Sequence, residues 1–156
     1  MMTNEERIEQ AVALFKEGYN CSQSVVAAFA DQYGFTREQA LRMSASFGGG
    51  IGRMRETCGA ACGLFMLAGF KTGAIEGDDS EGKAANYALV QKLAEEFKKR
   101  NGALKCAELL GLVKAEPIVS TPEARTQQYY AKRPCVQMVE EAARICRYKF
   151  LKNLAN

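Results

Sequence analysis

The chain has 156 residues, a formal charge of +3, six cysteines and no histidine. That length suits one domain able to bury a core without disulfide staples, and so mild a charge argues against nucleic-acid binding, which needs a strong basic patch. The missing histidine removes imidazole as base, proton shuttle and metal ligand, so chemistry is expected to run through sulfur.

The pattern predicts helices almost throughout. Thr3 or Asn4 can cap a first helix with an apolar stripe of Ile8, Val12 and Phe15, stopped by Gly18. Asn20 with Gln23 forms a capping box for a second helix, Val25 to about Tyr33, and Thr36 with Gln39 repeats the device for a third carrying Leu41, Met43 and Phe47. Gly48-Gly49-Gly50-Ile51-Gly52 then breaks the chain, and Thr57 is the predicted cap of a fourth helix reaching about Lys71. After a loop from Gly73 to Ser80, the longest helix runs from about Glu81 to Arg100, with Asn101-Gly102 as its stop. The basic run Lys98-Lys99-Arg100 falls at the end of that helix, where the macrodipole favours cations.

A short turn or helix covers Leu104 to Leu110. Thr121-Pro122 and Arg133-Pro134 each place proline at a helix start, and the last helix runs to about Leu154. No alternating β-branched run is long enough to argue for a sheet. The expectation is one all-α domain over residues 1–156, a compact bundle of about seven helices.

The N-terminus, Met1-Met2-Thr3-Asn4-Glu5-Glu6, is polar and acidic, so no secretory signal is expected. The longest apolar stretch, Ala60 to Phe70, is about half of what spans a bilayer. A cytoplasmic, non-membrane-spanning protein follows as the expectation, and there thiols stay reduced and more often bind metal or cycle redox states than staple a fold.

Cys21 follows Asn20, Cys58 follows Thr57 and Cys135 follows Pro134, each at a predicted first helical turn, while Cys106 lies in or just before the short helix. Unpaired amides and the positive end of the helix dipole favour thiolate at such positions. Lys105, Lys132 and Arg133 are sequence neighbours of two of these cysteines, and Arg53 and Arg55 shortly precede Cys58. Thiolate is both the nucleophilic and the metal-binding form, so the placement suits either use. Small, apolar cysteine also packs well at helix ends. Cys62, one turn beyond Cys58, is either a resolving thiol or a filler beside Phe65 and Met66. Cys146 belongs to a stripe of Val139, Ala142, Cys146 and Phe150 and is expected in the core.

The glycine cluster neither follows a strand nor ends in Gly-Lys-Ser/Thr, which argues against a nucleotide cradle. A loop that lets backbone approach the Cys58 site fits better, with Gly49, Gly50 and Gly59 as cofactor-approaching positions, since an iron–sulfur cluster accepts N–H hydrogen bonds at its sulfides.

Asn20-Cys21-Ser22-Gln23-Ser24, the glycine loop, Cys58-Gly59-Ala60 with Gly63, Cys106 before Leu109-Leu110-Gly111, and Cys135 together resemble the C_GCAxxG_C_C family. Its members are designated redox-active and are characterised by four cysteines. The resemblance spans about Ala11 to Ile145 and carries the four cysteines over to Cys21, Cys58, Cys106 and Cys135, leaving Cys62 at a variable position and Cys146 outside the pattern. The family's setting near transporter genes implies a transporter-associated role in redox or metal homeostasis.

Three functions compete. The first is a four-cysteine site (Cys21, Cys58, Cys106, Cys135) holding an iron–sulfur cluster or other metal for electron transfer or sensing; zinc is disfavoured without tight Cys-x-x-Cys knuckles. The second is thiol–disulfide exchange in which Cys58 attacks and Cys21, Cys62 or another thiol resolves. The third is an interaction protein, a transporter partner, with cysteines used only for packing. A redox partner of unspecified kind is implied by the first two, and a homodimer is compatible with all three.

Overall fold

The computed structural model describes residues 2–112 and 117–152, with side chains described as far as Cys146. Leu154 and the side chain of Phe150 lie outside the described residues. Among those described there are eight α-helices and no strand, an all-α fold as the patterning predicts. In chain order they are α1 Asn4–Lys16, α2 Cys21–Phe29, α3 Arg37–Ser44, α4 Gly59–Thr72, α5 Ser80–Asn101, α6 Cys106–Leu109, α7 Gln127–Lys132 and α8 Cys135–Lys152. Tight 3-10 turns extend α2 over Ala30–Tyr33 and α3 over Ala45–Phe47.

Local chemistry starts the first three helices. Thr3 with Glu6, Asn20 with Gln23, and Thr36 with Gln39 form reciprocal capping boxes that satisfy amides left without helical partners. Further along, tertiary contacts override the local signals. Cys58 rather than Thr57 occupies the N-cap of α4, because the backbone on either side of Thr57 is pinned to residues near Lys105. Thr121-Pro122 opens no helix: the Val119 and Thr121 carbonyls accept from the Arg53 guanidinium instead of from amides of a helical turn. Helix α7 begins only after Thr126, whose hydroxyl accepts from the Tyr129 amide. In α3 the buried positions are Ala40 and Ser44, and Met43 faces solvent. The inward stripe is thus displaced from the Leu41–Met43 side because the helix rests on α2 through its smallest residues.

The core is continuous across α1, α2, α4, α5 and α8, with Phe15, Phe29, Leu64, Leu67, Leu93, Phe97, Val139 and Ile145 fully or almost fully buried. Helix α2 packs closely on α4 because glycines line the contact: a Cβ on Gly63 would sit 3.1 Å from both the Ser22 carbonyl oxygen and Val25 Cβ. That close approach brings the starts of α2 and α4 side by side.

Arg7 is buried beneath this core and ends on Asp31, with Nη1–Oδ1 2.6 Å and Nη2–Oδ2 3.1 Å, while Nη1 also donates to the Ala28 carbonyl at 2.9 Å. The guanidinium holds the Asp31 carboxyl below its ordinary pKa, burial opposing. Removing the carboxylate leaves a buried cation short of its partner, so Asp31→Asn is expected to cost about 1–2 kcal/mol, the exposure of the carboxylate keeping the figure low. Arg7→Met is expected to cost less, because it removes the buried charge together with its unpaired Nε. A depressed carboxylate pKa stabilises the fold above the unfolded value of about 4 and ceases to do so as pH falls through the folded value. The gap between wild type and Asp31→Asn in urea unfolding should therefore be full at pH 7 and close on acidification.

Candidate functional site

Cys21, Cys58, Cys106 and Cys135 line a single cavity with about 70 Å³ of free space, although each comes from a different helix start. Each is placed by an identifiable local device. Cys21 is the first residue of α2, held by the Asn20 cap, and Asn20 Nδ2 also donates to the Ala45 carbonyl at 3.0 Å, tying that helix start to the turn that leads into the glycine loop. Cys58 and Cys106 are fastened to each other's segments: the Cys58 amide donates to the Leu104 carbonyl (2.8 Å), and the Cys106 amide to the Glu56 carbonyl (2.6 Å). Around the Thr57–Lys105 bridge, this strap sets the N-cap of α4 beside the first residue of α6. Cys135 opens α8 directly after Pro134, at the cavity edge.

The glycine loop closes the remaining side. Gly49, Gly50, Ile51, Gly52, Arg53 and Arg55 all have φ between 57° and 70°, a nearly continuous left-handed turn. For the three residues bearing a Cβ this costs on the order of 1–2 kcal/mol each, and for β-branched Ile51 it is a real outlier. The turn is held by backbone bonds across itself, among them the Arg55 amide to the Gly49 carbonyl and the Glu56 amide to the Gly50 carbonyl. Its effect is to press backbone onto sulfur-bearing residues: a Cβ on Gly50 would lie 2.5 Å from Cys106 Cβ. On the opposite wall, a Cβ on Gly59 would lie 2.7 Å from the Phe47 carbonyl and 3.4 Å from Cys21 Cβ.

Electrostatics divide the four thiols. Cys21 and Cys135 act on each other: the Cys135 thiol raises Cys21 well above the ordinary thiol value, while Cys21 lowers Cys135 to about 7. Burial opposes the fall at Cys135, and Arg133, the Tyr129 hydroxyl and Arg125 assist it. Burial pushes Cys58 up to about 12, with the Ala61 and Ala60 amides pulling the other way, and it raises Cys106 against the nearby Arg55. Arg55 Nη1 lies 3.8 Å from Cys106 Sγ. The thiol favoured as thiolate is therefore Cys135, whereas the sequence points to Cys58 as the attacking group. At Cys58 desolvation outweighs the helix-start amides.

Cys62 does not line the cavity; its S–H donates to the Thr57 carbonyl at 3.7 Å, and burial raises its pKa to about 11. Cys146 is in the core, raised by burial. Among basic neighbours, Lys105 pairs with Glu56 at the surface rather than with sulfur, and Arg55 serves Cys106 rather than Cys58. Sequence reasoning passed over Arg125 and Tyr129. Arg125 donates to the Phe15 (2.8 Å) and Tyr19 (3.0 Å) carbonyls and stacks on the rings of Phe15 and Tyr129, which places both residues on the cavity wall. No local pattern marks an arginine that caps a helix more than a hundred residues away.

Among the described residues no three histidine, cysteine, aspartate or glutamate side chains are placed to hold a metal ion. Among them, too, no helix is long and apolar enough to cross a membrane.

No curated protein and no solved structure matches the chain. A family model described as "Putative redox-active protein (C_GCAxxG_C_C)" matches residues 19–148, which takes in all four cavity cysteines. The chain belongs to the C_GCAxxG_C_C family.

Proposed function

We propose that Cys21, Cys58, Cys106 and Cys135 act as one redox centre, holding an iron–sulfur cluster for electron transfer or sensing. The observation that carries this reading is the meeting of four thiols, from four helix starts, around one cavity. The donor set fits the group: it is all sulfur, and it is backed by glycines where any Cβ would intrude on Cys106 or approach Cys21. In a tetrahedral single-metal site with metal–sulfur bonds of about 2.3 Å, all the sulfurs crowd one point. The described residues lack three donors so placed. A cluster spreads its thiolates over several irons, so its four sulfurs need not converge on one point.

When bound, such a cluster supplies a one-electron couple whose potential follows charge, hydrogen bonding and solvent exposure. The residues around it act on those quantities. Arg55, Arg125 and Arg133 offset thiolate charge and favour the more negative, reduced state, while Phe15, Leu109 and Met138 exclude water.

A second reading is favoured by Cys21 and Cys135, which line the same cavity and shift each other's acidity, one up and one down. These two thiols would form a disulfide by exchange with a partner disulfide, which takes the two electrons and two protons and leaves as two thiols, with no metal required. A potentiometric titration of anaerobically prepared protein separates the two. The cluster reading expects a one-electron slope, about 59 mV per decade, and the dithiol reading expects about 30 mV per decade. A two-electron slope, lost in Cys21→Ser, would overturn the first in favour of the second.

A further inference from the structure

Adjoining the cysteine cavity is a larger cleft with about 400 Å³ of free space. The two share Asn20, Gly49, Arg55, Arg125, Tyr129 and Arg133, and Arg53 lines the cleft alone. Four arginines therefore line it, against one carboxylate, Glu123, among the described lining residues. Glu123 is paired with Arg133. Arg53 donates to the Val119 and Thr121 carbonyls, Arg125 to those of Phe15 and Tyr19, and Arg55 reaches Cys106. Neutral carbonyls fix the orientation of a guanidinium but leave its charge uncompensated. Arg53 and Arg55 both sit on the left-handed loop, with φ values of 63° and 61°.

We propose that this cleft binds a small, multiply charged anion bearing carboxylate or oxyanion groups and holds it beside the four cysteines. The guanidinium fork matches both kinds of group bidentately. The volume lies in the range of about 300–1,000 Å³ usual for small-molecule sites, and a concave site selects a small solute over a flat protein surface. Arg55, Arg125 and Arg133 also face the cysteine cavity and can balance thiolates there. Arg53 does not, so the cleft carries more positive charge than the redox centre uses. The site is independent of whether that centre is a cluster or a dithiol.

The test is calorimetric titration of the full chain at constant ionic strength with inorganic phosphate, sulfate and citrate. Saturable binding of at least one is expected, weakened tenfold or more in Arg53→Gln and strengthened in Glu123→Gln. A gain of affinity in Glu123→Gln cannot arise from misfolding, so that variant decides if Arg53→Gln folds poorly. Binding of phosphate or sulfate alone would identify an inorganic oxyanion, and of citrate alone an organic carboxylate. Saturable binding of none of the three, or unchanged affinity in a folded Arg53→Gln, would overturn the site.

Discussion

Replacing Gly50 with alanine is expected to destabilise the protein by about 2–5 kcal/mol and to abolish the cysteine site. Two costs combine. Gly50 has φ +70°, where a Cβ costs about 1–2 kcal/mol. The added methyl would also lie 2.5 Å from Cys106 Cβ, 2.8 Å from the Glu56 nitrogen and 2.9 Å from Arg55 Cα. Two of those three atoms are backbone, so no rotamer change relieves the overlap, and overpacking adds about 1–3 kcal/mol. Gly52→Ala is the matched control. Its φ is +57°, but the nearest atom to a new Cβ is the Ser46 carbonyl oxygen at 4.0 Å. Only the conformational cost of about 1–2 kcal/mol is expected there. Urea unfolding of the two variants beside wild type measures the difference, and equal losses would show that contact with Cys106 is unimportant.

Serine in place of Cys21, Cys58, Cys106 or Cys135 is expected to cut iron–sulfur loading at least tenfold in each case, because a hard hydroxyl replaces a soft thiolate. Cys62→Ser should load normally, since its sulfur is turned to the Thr57 carbonyl outside the cavity. Cys146→Ser should also load, but with stability lowered by about 1–3 kcal/mol from a hydroxyl in the core. Iron content after anaerobic reconstitution reads the series. Full loading in Cys58→Ser and Cys106→Ser, with loss in neither, would break the unit of four.

What was legible in the sequence follows the range of the interactions involved. The capping boxes at Thr3, Asn20 and Thr36 are contained within four residues, so the starts of α1, α2 and α3 could be read directly. The long α5 was equally plain, and differs in starting at Ser80 under an Asp79 cap and in running one residue further, to Asn101. The α4 start shifted to Cys58 because its geometry depends on a backbone strap to residues 104–106. The Thr121-Pro122 signal failed to another distant contact, the Val119 and Thr121 carbonyls being taken by Arg53. Four cysteines at helix starts were visible as a pattern. Their meeting in one cavity was not, because it depends on Gly63 packing against α2 and on a left-handed loop containing Ile51, a residue no propensity would place there. Thiol acidity was the least legible, since burial at Cys58 and the effect of Cys21 on Cys135 are both products of tertiary packing.

The most direct measurement is the count of free thiols in the full chain before and after anaerobic reconstitution with iron and sulfide, read with iron content and visible absorption. All six cysteines are free in the structure. If four of them form one cluster-holding centre, loading should bring stoichiometric iron and labile sulfide and a thiolate-to-iron absorption band, and it should protect Cys21, Cys58, Cys106 and Cys135 from alkylation in the folded protein while leaving the labelling of Cys62 and Cys146 the same as in the unloaded chain. Colourless protein that loses its iron on desalting, with all six thiols still titratable, would contradict it.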